Sequence, residues 1–82
     1  MISCSDYDYI EIVCMYGYPI QLTMISNDIV TGTALDTQLN ESRTECIKVK
    51  VDGVDCLIEL DKVTKLEICV KNPHFETIIF NQ

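Results

Sequence analysis

The chain has 82 residues, 48% of them hydrophobic, and its thirteen acidic and six basic residues give a net charge of −7. This length and apolar fraction predict one packed domain over residues 1–82 and exclude a disordered tail, and no apolar run reaches the roughly 18 residues that span a bilayer. The first 42 residues contain six acids and no base, which disfavours direct nucleic-acid binding. The negative excess either serves a basic partner or only keeps a small protein soluble.

The first predicted element is a helix at about residues 6–16. Ser5 is placed to cap it, and Asp8 lies favourably in the first turn, near the positive end of the helix dipole. Gly17 and Pro19 end it, because glycine adopts the left-handed conformation that closes a helix and proline cannot continue one. Residues 1–9 hold two aspartates and no lysine or arginine, so we expect neither a signal peptide nor a membrane anchor.

The two faces of this helix have different compositions. Helical spacing predicts a core stripe of Tyr7, Ile10, Val13 and Cys14. The other face mixes two carboxylates with two large apolar side chains: Asp8, Glu11, Ile12 and Met15. It is either an ordinary exposed face with scattered apolar residues or a contact face for a partner. The four tyrosines within the first 18 residues, close to Asp6, Asp8 and Glu11, favour the contact face, because tyrosine is enriched in interface hot spots.

After the helix the apolar period changes from 3.6 to 2, which predicts strands. Residues 20–24 alternate, a turn follows at residues 27–28, and residues 29–35 form a β-branched strand in which Gly32 predicts a bulge or a sharp bend. Residues 36–44 have no apolar period and predict a long loop.

A two-residue hairpin turn is the strongest local signal. Asp52-Gly53 favours a type I′ turn. The register that this turn sets places apolar residues opposite one another on one face and Lys50 opposite Asp55 on the other. The apolar pairs are Val51 with Val54, Val49 with Cys56, and Ile47 with Ile58; Cys46 pairs with Glu59.

Two further strands are predicted at residues 63–70 and 75–80. One helix and five or six short, mostly antiparallel strands are too little sheet for a sandwich. We therefore predict a mainly β fold, a small SH3-like or Sm-like antiparallel barrel with one N-terminal α-helix closing one end.

Residues that commonly bind metals or carry catalysis are few and widely spaced. The five cysteines are at least ten residues apart and His74 is the only histidine, a spacing that disfavours a zinc site. In a bacterial cytoplasm these cysteines are expected to be free thiols. We expect no metal, no cofactor and no enzymatic activity.

Two alternative functions stay open. An Sm-like module could bind nucleic acid through the later lysines, although Lys50 is predicted to face Asp55; these lysines are Lys48, Lys50, Lys62, Lys65 and Lys71. A small hydrolase could use Cys14 or Cys46 as nucleophile with His74 as base.

The run from Cys4 to Cys14 has the pattern Cys-x-x-Tyr-Asp-x-x-Glu-x-x-Cys and resembles the N-terminal helix of the Rof (YaeO) family. Ala34-Leu35-Asp36 and Leu60-Asp61-Lys62-Val63-Thr64 resemble later landmarks of that family, in the same order. Its members are small acidic bacterial proteins with an Sm-like barrel preceded by a helix, and they inhibit the transcription terminator Rho.

This resemblance implies binding to the N-terminal RNA-binding domain of Rho, which keeps RNA from the primary site. Tyr7, Asp8 and Glu11 would engage basic and polar groups there, and the loop over residues 36–45 would form a second contact. With the contact face of the helix added, the expected partner-binding residues are Asp6, Tyr7, Asp8, Glu11, Ile12, Met15, Asp36, Asn40 and Arg43. We expect a cytoplasmic monomer that binds Rho and does not bind nucleic acid directly.

Overall fold

The structure, a computed structural model, describes residues 4–71 and 77–80, with side chains from Tyr7 onward. Within these residues one helix, α1, is followed by six strands, with a 3₁₀ turn at Leu60–Lys62 between the fourth and the fifth. The elements are α1 (Cys4–Tyr16), β1 (Pro19–Met24), β2 (Ile29–Leu39), β3 (Glu45–Val51), β4 (Val54–Glu59), β5 (Val63–Ile68) and β6 (Thr77–Ile79).

The six strands form one antiparallel sheet in the order β4-β3-β2-β1-β5-β6. The predicted class, mainly β with one N-terminal helix, is confirmed. The strand order places β4 and β6 at the two edges of the sheet, so closure of the sheet into a barrel stays a prediction.

α1 ends in a hydrogen-bonded cap, as predicted. Gly17 has a φ of +63°, and its amide donates to the carbonyl oxygen of Cys14 at 3.2 Å. The amide of Tyr18 donates to the carbonyl oxygen of Val13 at 3.1 Å. These two bonds form a Schellman motif, which needs a residue in the left-handed region at the position of Gly17.

The start of α1 differs from the prediction. The helix begins at Cys4, so Ser5 lies inside it and is not the capping residue. The physical reason is that the first turn of a helix frays and a local capping signal does not fix its first residue to within one or two positions.

β2 is longer than predicted, and the loop after it is shorter. Residues 36–39 were expected in a loop, but Asp36 pairs with Lys48 and Thr37 pairs with Ile47 of β3. Pairing with a neighbouring strand therefore overrides the absence of an apolar period in this segment. The loop that remains spans residues 40–44.

The irregularity in β2 lies at Leu35 and not at Gly32. The register with β3 shifts between Ala34 and Asp36, which leaves Leu35 as an extra residue in the ladder. An extra residue of this kind bends a strand and redirects the side chains next to it. Of the two features expected at Gly32, the bulge is therefore wrong, and the sharp bend stays a prediction.

Gly32 is required by a close approach between strands. It pairs regularly with Ile20 of β1. A Cβ atom at this position would overlap the carbonyl oxygen of Lys50 and would lie 2.7 Å from Cγ1 of Val49. Only glycine leaves room for β3 to pass this close to β2.

The predicted register of the β3–β4 hairpin is confirmed at every predicted pair. Asp52 and Gly53 have φ values of +51° and +81°, the two positive values that a type I′ turn needs. The confirmed pairs are Val51 with Val54, Lys50 with Asp55, Val49 with Cys56, Ile47 with Ile58, and Cys46 with Glu59.

β5 is shorter than predicted. It ends at Ile68, so Val70 lies beyond the strand and is exposed. β6 is described at Thr77–Ile79 and ends one residue before the predicted end at residue 80, and its predicted start at residue 75 lies outside the described residues. His74 and Phe75 lie outside the described residues.

A single hydrophobic cluster joins the helix to the sheet. It is formed by Ile10, Val13, Ile20, Leu22, Ala34, Ile47, Val49, Leu60, Val63, Leu66, Ile68 and Phe80. Ile10 and Val13 are completely buried in it, which confirms the predicted core stripe of α1 and leaves the opposite face of the helix outward. Within residues 4–71 and 77–80, no helix is long and apolar enough to cross a membrane.

Candidate protein-binding surface

The outward face of α1 carries the residues predicted for partner contact. Asp8 and Glu11 are exposed, Ile12 is half-buried, and Met15 is 75% exposed. An exposure this large for a methionine means that it contributes little to the core. Asp6 lies in the first turn of α1, and its side chain is outside the described part of the structure.

α1 and the bulged part of β2 enclose an open depression. Glu11, Cys14 and Met15 line it from the helix, and Leu35, Asp36 and Thr37 line it from the strand. We call these six residues the acidic depression. The predicted residues Glu11, Met15 and Asp36 thus come together, although 25 positions separate Glu11 from Asp36 in the chain.

Both carboxylates of the acidic depression act on one thiol, that of Cys14. Burial raises its pKa from the ordinary value of 9.0 to about 11, and the negative charges of Asp36 and Glu11 add to the increase. Both carboxylates are therefore close enough to act electrostatically on the same group. The thiol stays protonated at neutral pH, which is the opposite of what a cysteine nucleophile needs.

A local hydrogen bond orients the Asp36 side chain. The amide of Thr37 donates to Oδ1 of Asp36 at 2.8 Å. Lys48 is the cross-strand neighbour of Asp36, yet no ion pair joins these two described residues. The Asp36 charge is therefore not neutralised by a close cation within the described chain.

The other predicted contact residues lie apart from the acidic depression. Tyr7 is half-buried and packs against the hydrophobic cluster. Asn40 and Arg43 are in the loop after β2, and four residues of extended strand place Asn40 about 13 Å from Asp36. The loop borders a second depression, lined by Gln38, Leu39, Asn40, Glu41, Ser42 and Leu57.

Sequence reasoning did not place Leu35 in the site and included Thr37 only within the expected loop contact over residues 36–45. It assigned Cys14 to the core, with the hydrolase nucleophile as its alternative role. Cys14 is half-buried and packs against the core while its other side lines the depression. The bulge at Leu35 brings the strand residues into the site, and no residue type in the sequence marks that bulge.

Three of the later lysines have carboxylate neighbours. Lys62 pairs with Glu59 at 3.7 Å, Lys65 pairs with Glu67 at 3.2 Å, and Lys50 lies opposite Asp55. A nucleic-acid surface needs uncompensated cations that follow the phosphates. These carboxylates therefore reduce the positive charge that Lys50, Lys62 and Lys65 could offer to nucleic acid.

The structure describes only some of the residues that a hydrolase or a metal site would use. Cys46 is buried, which raises the pKa of its thiol, and the proposed base His74 lies outside the described residues. In the part of the chain that the structure describes, no group of three or more His, Cys, Asp or Glu side chains is arranged to hold a metal ion.

Comparison with known proteins identifies relatives. The family model described as "Modulator of Rho-dependent transcription termination (ROF)" matches residues 1–80. Among solved structures, the fold is similar to that of YaeO bound to magnesium from Vibrio cholerae O395. The TM-score is 0.87 and the sequence identity is 39%, over 92% of this chain and 97% of the other. A search of curated protein sequences finds no significant match.

Proposed function

Because the chain belongs to the ROF family of modulators of Rho-dependent transcription termination, we propose that it inhibits Rho by obstructing RNA binding. It binds the N-terminal RNA-binding domain of Rho and keeps RNA from the primary site. This is a binding function without catalysis, and the family is not an enzyme family.

The observation that carries the proposal is that Glu11 of α1 and Asp36 of β2 line the same depression and that both raise the pKa of the Cys14 thiol. A surface that binds RNA presents cations and hydrogen-bond donors to phosphates. A protein that occupies such a surface needs carboxylates where the phosphates would lie. The acidic depression offers two carboxylates from different elements, and Asp8 continues the negative charge along α1.

Apolar side chains next to these carboxylates supply contact area. Met15 lines the acidic depression, and Ile12 lies on the same face of the helix. Interface hot spots combine a well-packed apolar centre with polar groups that fix the orientation. Met15 and Ile12 therefore serve as the apolar part of the contact, and Glu11 and Asp36 serve as its charged part.

The remaining predicted residues have smaller proposed roles. Asp6 adds negative charge at the start of the helix, and Tyr7 uses the part of its ring that the core does not cover. Arg43 adds a positive charge to the loop after β2, so the second contact is polar and of mixed charge. We propose that the protein acts as a monomer in the bacterial cytoplasm, where Rho acts on transcripts.

Fluorescence anisotropy of a labelled cytidine-rich RNA tests this proposal. The protein is titrated first into RNA alone and then into RNA bound to Rho. We expect no change with RNA alone and a fall in anisotropy with the Rho complex. Binding to RNA alone, with the Rho complex left intact, would replace the inhibitor with an Sm-like nucleic-acid module.

A further inference from the structure

The Asn40 side chain bridges the backbone of the loop after β2. Oδ1 of Asn40 accepts hydrogen bonds from the amide of Ser42 at 2.9 Å and from the amide of Thr44 at 3.0 Å. Asparagine commonly closes turns in this way, because its side-chain oxygen takes the place of a backbone carbonyl.

Backbone hydrogen bonds complete the same turn. The amide of Asn40 donates to the carbonyl oxygen of Thr44 at 3.1 Å, and the amide of Arg43 donates to the carbonyl oxygen of Asn40 at 2.9 Å. Arg43 has a φ of +63°, an uncommon conformation for a residue with a side chain. The surrounding hydrogen bonds must therefore offset the cost of this conformation.

The loop residues differ in exposure. Asn40 is half-buried, whereas Glu41, Ser42 and Arg43 are exposed. The oxygen of the Asn40 side chain is used inside the loop, and the outward surface is left to the three residues that follow. Asn40 is also one of the residues that the sequence predicts for partner contact.

We infer that Asn40 is a positioning residue for the second contact with Rho. Its side chain preorganises residues 41–43 for the partner and makes no essential contact itself. This inference rests on the proposed function, because it assigns a role within the proposed docking surface. Preorganisation favours binding because the loop does not lose conformational freedom when the complex forms.

Three variants separate loop shape from side-chain contact. Asn40→Ala removes the acceptor oxygen, whereas Asn40→Asp keeps an acceptor and removes the amide donor. Arg43→Gly removes the exposed side chain and leaves a residue that adopts positive φ without strain. Each is assayed for affinity to the Rho N-terminal domain and for hydrogen exchange at the Ser42 and Thr44 amides of the free protein.

We expect Asn40→Ala to speed exchange at both amides and to weaken binding by about fivefold. Asn40→Asp should keep both amides protected and bind within about twofold of the wild type. Arg43→Gly should keep both amides protected, so any loss of affinity that it causes measures the Arg43 side chain alone.

Two results would overturn the inference. If Asn40→Ala exposes the amides but binds like the wild type, loop shape does not matter for Rho. If Asn40→Asp keeps the amides protected but binds as weakly as Asn40→Ala, the side chain contacts the partner directly. Failure of the proposed function looks different, because the wild type itself would then not bind the Rho domain.

Discussion

Glu11 of the helix and Asp36 of the bulged strand act on one thiol, that of Cys14, from two different elements. Burial is the largest cause of the raised thiol pKa. The charge of Asp36 raises this pKa further, and the charge of Glu11 does so to a smaller extent. The packing of α1 on β2 thus places two like charges beside a half-buried group. Like charges held together in this way favour the approach of a cation, which relieves their repulsion.

Replacing Asp36 with Asn should test this arrangement. The substitution removes the charge and keeps an oxygen for the Thr37 amide, so the fold should be retained. We expect the pKa of Cys14 to fall below the value of about 11, and affinity for the Rho N-terminal domain to fall by about tenfold. The pH dependence of Cys14 alkylation, followed by peptide mass spectrometry, measures the first effect.

Asp28→Asn on the β1–β2 turn is the matched control. If the pH dependence of Cys14 alkylation is unchanged in Asp36→Asn, the account is contradicted.

Stability should decrease at alkaline pH because of the same thiol. The native state keeps the Cys14 proton up to about pH 11, whereas the unfolded chain releases it near the ordinary pKa of 9.0. The unfolded state therefore binds fewer protons between these values, and the free energy of unfolding falls as pH rises. After allowance for solvent at this half-exposed site, we expect a loss of about 1 kcal/mol.

Urea unfolding at pH 8 and pH 10.5 measures this loss. Cys14→Ala should reduce the difference between the two pH values, and Cys69→Ala, at an exposed position, should not. In Cys14→Ala, the free energy of unfolding should still depend on pH to some extent, because burial also raises the pKa of Cys46. An equal pH dependence in Cys14→Ala and the wild type would show that Cys14 is not responsible.

Met15 should matter for binding and not for folding. With 75% of the side chain exposed, Met15→Ala should change the free energy of unfolding by no more than about 0.5 kcal/mol. Its loss from the contact should weaken binding to the Rho domain by about tenfold. Ile25→Ala is the matched control, since Ile25 is also exposed but lies on the β1–β2 turn. Calorimetric titration measures the affinity of both variants for the Rho domain. If Met15→Ala and Ile25→Ala change this affinity equally, Met15 is not part of the contact.

Gly32→Ala should destabilise the protein through a clash between strands. The added Cβ would meet the Lys50 carbonyl oxygen and the Val49 side chain, and we expect a loss of about 3 kcal/mol in urea unfolding. Gly17→Ala introduces a methyl group with no atom within 4 Å, so only its positive φ opposes it, at about 1 kcal/mol. If the two variants lose equal stability, the close approach at Gly32 is not the cause.

The parts of the fold that depend on neighbouring residues were predictable from the sequence. Asp52-Gly53 fixes the β3–β4 register because the turn type and the apolar alternation select the same pairs. Gly17 fixes the end of α1 because the Schellman motif uses backbone groups within six residues.

The parts that depend on distant residues were not predictable in this way. The extension of β2 over residues 36–39 comes from pairing with β3, and the bulge at Leu35 comes from the fit between those strands. For the candidate site, the exposed face of α1 followed from helical spacing. The meeting of Glu11 with Asp36 required the packing of α1 against β2, which no local pattern encodes.

The measurement that tests the central claim most directly is the displacement of cytidine-rich RNA from Rho by the Asp8→Lys/Glu11→Lys double variant. Both side chains are exposed, so the variant should fold like the wild type, and its melting curve verifies this. Asp28→Lys/Asp55→Lys carries the same change in charge at exposed positions outside the acidic depression. We expect the control to displace RNA like the wild type and the Asp8/Glu11 variant to displace none at about tenfold higher concentration. Displacement by the Asp8/Glu11 variant at the wild-type concentration would contradict an acidic helix face as the contact with Rho.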